Sequence, residues 1–173
     1  MKYSYESSEM FLSMVQKEYE SEKERAAALD SKISLSLPVI SAYFFLLAQD
    51  ANIRELCAIA WSLEESVETT GIFSTLALYF VAVLTAFCSL LWMIHATWTH
   101  QFQELDIAQS YNAKVMSMPK ELFSARIAKY YLTKIEQNQE ANKITSNEYQ
   151  LGWIFGIISL ICFLLYTLMT QVW

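Results

Sequence analysis

The chain has 173 residues, enough for one domain, but 54% of it is hydrophobic and only 17% charged, which is too apolar for an average soluble fold. Three glycines and two prolines exclude a Gly-rich phosphate loop, a collagenous segment and a many-turned β-sandwich, and so leave helices. A net charge of -6, from 12 basic and 18 acidic residues, excludes a nucleic-acid binder, which needs an excess of Lys and Arg facing phosphates.

Residues 1–32 are polar, and within them Met10, Phe11, Met14, Val15, Tyr19, Ala26 and Leu29 recur at three- and four-residue spacings between acidic and basic side chains. This predicts an amphipathic helix. No Gly or Pro interrupts it before the first apolar run, so the helix is expected to continue into that run. Its apolar stripe needs cover, expected from other helices of the same chain; an acidic polar face argues against lying on a membrane surface.

Residues 33–48, ISLSLPVISAYFFLLA, form a 16-residue apolar run that contains Pro38 and serines able to bond back to helix carbonyls. It reads as a first transmembrane helix, with Lys32 snorkelling at its edge, or as a buried or re-entrant helix, because it is short for a span. Residues 49–71 follow as a loop on the far side, where Glu64, Glu65 and Glu68 form a solvated acidic face with no oxygen-rich cation loop around them. Residues 72–96 make the second transmembrane helix, since Ile72 to Ile94 is 23 residues without a charge, more than about 30 Å of hydrocarbon requires.

Residues 97–150 are polar again. Ser117 and Pro119 supply a helix start, and Leu122, Phe123, Ile127, Tyr130, Tyr131 and Ile135 then form a stripe flanked by Arg126, Lys129 and Lys134. That basic flank is either an anion-receiving face or a solvated flank of the kind cytoplasmic segments carry. Residues 151–170 make the third transmembrane helix, 19 uncharged residues from Leu151 to Met169 with Tyr149, Trp153 and Trp173 at headgroup depth. Within it Gly152, Gly156 and Ser159 present a small face on which two helix backbones can approach, in the same chain or between chains.

Basic residues fix the orientation, because Lys and Arg are retained on the cytoplasmic side. Residues 1–32 carry five, residues 49–71 only Arg54, and residues 97–150 six. The amino terminus and the segment between the second and third spans are therefore expected in the cytoplasm, and the carboxyl terminus outside. The polar first 32 residues do not read as a cleavable signal peptide, so the first span is expected to serve as an uncleaved anchor.

Several chemistries find no constellation here. Cys57, Cys88 and Cys162 are widely spaced and odd in number, which encodes neither a disulfide framework nor a zinc site. His95 and His100 are five apart, off a common helix face, and have no ligand at metal spacing. No ionisable side chain falls inside an apolar run, as an ion-coupled transporter or an intramembrane hydrolase would require. The expectation is a non-enzyme without cofactor or metal. Three spans can hardly enclose a pore alone, so any conducting form must be a homo-oligomer.

The stretch Glu22-Lys23-Glu24-Arg25-Ala26-Ala27-Ala28-Leu29-Asp30-Ser31-Lys32, a charged helix ending in Asp-x-Lys before the first span, resembles the small bacterial membrane effectors of anti-phage signalling. Nearest in layout are the Pycsar transmembrane effectors, then the two- to three-span effectors of CBASS-like operons, including the SLATT group. These also carry a Lys shortly before a last span, as Lys143 does here. The resemblance covers most of the chain in layout and is specific at Arg25, Asp30 and Lys32; the short first span with Pro38 and the 119–146 stretch depart from it. It implies an all-α, multi-pass, oligomeric protein of the bacterial inner membrane. A cyclic nucleotide or an operon-encoded regulatory protein would switch it to form pores and cause growth arrest or death, an abortive infection. Under that reading Arg25, Asp30, Lys32, Arg126 and Lys129 are the trigger-sensing candidates, the two arginines through guanidinium recognition of phosphate. The alternative from another class is a non-toxic anchor or assembly subunit of a larger complex.

Overall fold

A computed structural model describes residues 5–50, 52–62, 67–99, 102–105 and 117–171; of these residues 93% are helical. The fold is all-α, with four helices among the described residues: α1 (Tyr5–Ala48), α2 (Asn52–Ser62), α3 (Val67–Thr99) and α4 (Lys120–Thr170). Three of them, α1, α3 and α4, are long and apolar enough to cross a membrane. At about 1.5 Å per residue, α1 and α4 are about 66 and about 76 Å long, more than twice about 30 Å of hydrocarbon. Each must therefore continue outside any bilayer it crosses. The chain divides into two compact units, Met1–Ser31 with Trp98–Ser146 and Lys32–Thr97 with Asn147–Trp173.

The first unit pairs the start of α1 with the first half of α4. Both bury side chains at alternating steps of three and four, the spacing of knobs-into-holes packing. On α1 these are Val15, Tyr19, Glu22 and Ala26; on α4 they are Ser124, Ala128, Ile135, Asn138, Asn142 and Thr145, with half-buried Tyr131 at the step between Ala128 and Ile135. The helices run parallel, since Glu9 pairs with Lys120 at one end and Glu22 with Asn142 further along. The expected start of α4 falls where Ser117 and Pro119 put it, and the Phe123 N–H donates to the Pro119 carbonyl at 3.0 Å. The expected apolar stripes divide in the structure. Val15, Tyr19, Ala26 and Ile135 face inward, whereas Met10, Phe11, Met14 and Leu122 are 47–66% exposed. The inward-facing surface follows a seven-residue repeat, and those four side chains fall outside it.

In the second unit the rest of α1, α2, α3 and the rest of α4 pack together. The amphipathic helix continues into the first apolar run as expected, and α1 runs on through Pro38. Ser36 and Ser41 bond back to the carbonyls of Lys32 and Leu37, at 2.8 and 2.7 Å. Segment 49–71, expected as a loop, contains α2, which Asp50 opens by accepting the Asn52 N–H at 2.9 Å. Leu56 of α2 joins Ile72, Leu76, Tyr79 and Tyr166 in one cluster, so apolar burial holds the helix against α3 and α4. The Tyr79 hydroxyl donates to the Leu47 carbonyl at 2.7 Å, satisfying an acceptor at the end of α1. Glu64, Glu65, His100 and Trp173, and the side chain of Glu68, lie outside the described residues.

Candidate functional site

Within the second unit, α3 lays a narrow face on α4. Ala82, Ala86, Ser89 and Met93 are buried at heptad spacing opposite Gly152, Gly156 and Ser159. Two short bonds pin this contact: Ser89 donates to the Gly152 carbonyl and Ser159 to the Ala82 carbonyl, each at 2.6 Å. On the other side Tyr43 of α1 meets the Ser159 hydroxyl at 3.1 Å, and Ser36 meets Tyr149 at 3.2 Å. The small face that the sequence offered for packing within the chain or between chains lies, in the structure, against α3 of the same chain. A Cβ at Gly152 would lie 3.0 Å from two side-chain carbons of Met93, which is why glycine stands there. The outward faces are apolar: Leu35, Phe45, Phe80, Leu84, Ile157 and Leu168 are exposed. At the end of the unit His95 Nδ1 and Glu148 Oε1 are 2.9 Å apart.

The first unit is built differently, with polar groups along its seam. Glu22 is 2% exposed, and its carboxylate collects three donors. Arg25 Nη1 reaches Oε1 at 2.9 Å, Asn142 Nδ2 reaches Oε2 at 3.1 Å, and Gln139 Nε2 lies 3.5 Å from Oε1. Asn142 also donates to the Glu22 carbonyl at 3.4 Å. A charge taken out of water at a helix interface is tolerated only when it is paired and hydrogen-bonded, and here the cation and the amides supply that. One turn beyond Asn142, the Thr145 hydroxyl is buried with no described partner.

One step toward the start of α4 lies a second polar layer. Asn138, fully buried, accepts the Gln103 N–H at 2.7 Å and donates to the Gln103 carbonyl at 3.3 Å. The Tyr19 hydroxyl accepts the Leu105 N–H at 3.1 Å and donates to the Gln103 carbonyl at 3.4 Å. Burial is the main reason its phenol titrates above the usual tyrosine value. Residues 102–105 are thereby laid along the seam, with Phe102 and Leu105 packed on the Val15, Tyr19 and Ile135 cluster.

The sequence-predicted trigger residues are not gathered into one pocket. Arg25 bonds Glu22 along its own helix, with its side chain 66% exposed. Asp30, Lys32, Arg126 and Lys129 are exposed, and among the described contacts none joins Arg25 to Arg126 or Lys129. Arg126 and Lys129 stand on the side of α4 away from Ser124, Ala128 and Ile135, which face α1. The residues that organise this unit, Glu22, Asn138, Gln139 and Asn142, were not singled out from the sequence. Extending the stripe past Ile135 in steps of three and four reaches Asn138, Asn142 and Thr145, and that spacing was the available signal. Among the described residues no group of three or more His, Cys, Asp or Glu side chains could hold a metal ion. Comparison with known protein families, curated proteins and solved structures finds no match.

Proposed function

We propose that the chain is a multi-pass effector of a bacterial anti-phage defence system, silent until a nucleotide signal or a regulatory partner reaches its first unit. In this reading the first unit is cytoplasmic, the second lies in the inner membrane, and triggered copies assemble and breach the membrane's integrity. The observation that carries the proposal is the contrast between the two units. The second has a tight, small-residue interior and an apolar exterior, fitting a sealed bundle at rest in lipid. The first holds a carboxylate and two asparagines at positions that a stable coiled coil fills with leucine or isoleucine. A seam of that kind is weakly held, and a trigger shifts an equilibrium only by binding one of its states better.

Arg25 is the natural lever. A phosphate that draws its guanidinium away takes from buried Glu22 the cation described beside it, which couples ligand binding to the packing of α1 on α4. The test is inducible expression in a bacterium loaded with a potential-sensitive dye, with and without cyclic nucleotides or infecting phage. Depolarisation is expected to follow the trigger, and to be lost or to become trigger-independent in Arg25→Ala. Cells that keep their potential under every trigger while the protein copurifies with a larger assembly would overturn the proposal in favour of an anchor subunit.

A further inference from the structure

The segment Phe102–Leu105 is held in the first unit the way a bound peptide is held. Its main chain is read by side chains. The Asn138 amide takes both the N–H and the carbonyl of Gln103, and Tyr19 adds a bond to that carbonyl and another from the Leu105 N–H. A donor and an acceptor on one planar amide match the two main-chain groups of a single extended residue, so these contacts are indifferent to which side chain that residue carries. Side-chain selection falls on the two ends. Phe102 lies against Tyr19 with ring centroids 5.6 Å apart, and Leu105 enters the cluster of Val15, Tyr19 and Ile135. Between them Gln103 and Glu104 are exposed; Lys134 reaches the Gln103 side chain at 3.3 Å.

We infer that the groove between α1 and α4 in this unit is a receptor for extended peptide of the pattern Phe-x-x-Leu, with the chain's own 102–105 segment as its resident occupant. The ligand it fits is a partner protein's segment of the same chemistry, which enters by exchange. The resident segment is what covers Asn138, so its departure opens that amide to another main chain, which can take the same two bonds, or to water. It is also lightly held, by two side chains that are only partly buried and by four bonds of which two exceed 3.2 Å.

The probe is a fluorescent peptide with the sequence of residues 100–108, added to the detergent-solubilised full chain and followed by polarisation. The Phe102→Ala/Leu105→Ala chain, with its groove weakened toward its own segment, is expected to bind the probe at least tenfold more tightly than the wild type. A probe with alanine in place of its Phe and Leu should not bind. Because Asn138→Leu could disturb folding, the main-chain reading is tested on the ligand: N-methylating the probe residue that matches Gln103 removes one N–H and should weaken binding at least tenfold. Equal binding by wild type and double variant, or indifference to N-methylation, would overturn the inference. So would a wild-type dimer that the double variant converts to monomer, because the segment would then be exchanged between copies.

Discussion

Replacing Asn142 with leucine is expected to destabilise the first unit by about 3 kcal/mol, the upper end of what a buried acceptor costs when it loses its donor, since Arg25 stays on the other carboxylate oxygen. Leucine suits the position sterically, so the cost comes from Glu22, whose Oε2 loses its 3.1 Å donor while it stays 2% exposed. Glu22→Leu alone should cost about 1–3 kcal/mol, since it leaves the Asn142 amide only its 3.4 Å bond to the main-chain carbonyl of residue 22 and strands no charge. The Glu22→Leu/Asn142→Leu chain should recover most of both losses and approach or exceed the wild type, because apolar side chains of similar volume replace a buried polar pair at little cost. The check is denaturant unfolding in mild detergent, read by helicity, on the full cycle. Single losses that merely add in the double variant would show that Glu22 and Asn142 do not depend on each other.

The second large effect lies between α3 and α4. Gly152→Leu is expected to cost about 3 kcal/mol, at the upper end of overpacking, because the first added carbon already meets Met93 at 3.0 Å and three more follow. The same change pushes Ser89 off the Gly152 carbonyl, a buried 2.6 Å bond whose loss leaves both groups to find other partners. Gly152→Ala should cost no more than about 1 kcal/mol, since part of the Met93 side chain can rotate away. Adding Met93→Ala to Gly152→Leu should restore a measurable share of the loss. SDS-driven unfolding of the purified protein orders the four chains, and a Gly152→Leu protein as resistant as wild type would contradict the assigned packing. A change at Gly152 also acts inside one copy, so lost activity in that variant would not by itself identify a surface between copies.

The membrane-suited helices were legible because hydrocarbon imposes length and the exclusion of charge, and Ile72 to Ile94 and Leu151 to Met169 satisfy both without reference to any other part of the chain. The continuity of α1 into the first apolar run was legible for a related reason: nothing between Glu22 and Lys32 stops a helix. The helix in segment 49–71 was hidden by its length, for the eleven residues of α2 are held by contacts of Leu56 with distant positions on α3 and α4. The polar seam was hidden by chemistry. Asn138, Asn142 and Glu22 look like surface residues until their repeat is aligned with that of Val15, Tyr19 and Ile135, and the bonds that join them across the seam, Asn138 to Gln103 and Asn142 to Glu22, span more than thirty positions. Gly152 and Gly156 were read as a face for close approach within one chain or between two; a glycine pair does not say whose helix it meets, and in the structure Met93 and Ser89 of the same chain lie against them.

The proposed placement of the first unit in the cytoplasm is tested most directly by cysteine labelling. Cys57, Cys88 and Cys162 are first replaced by alanine, and single cysteines are then placed at the exposed positions Ala58 of α2 and Lys129 of α4. In intact cells a membrane-impermeant maleimide should label Ala58→Cys at once and Lys129→Cys only after lysis. Labelling of Lys129→Cys in intact cells, with Ala58→Cys protected, would invert the orientation and contradict any trigger that acts from the cytoplasm.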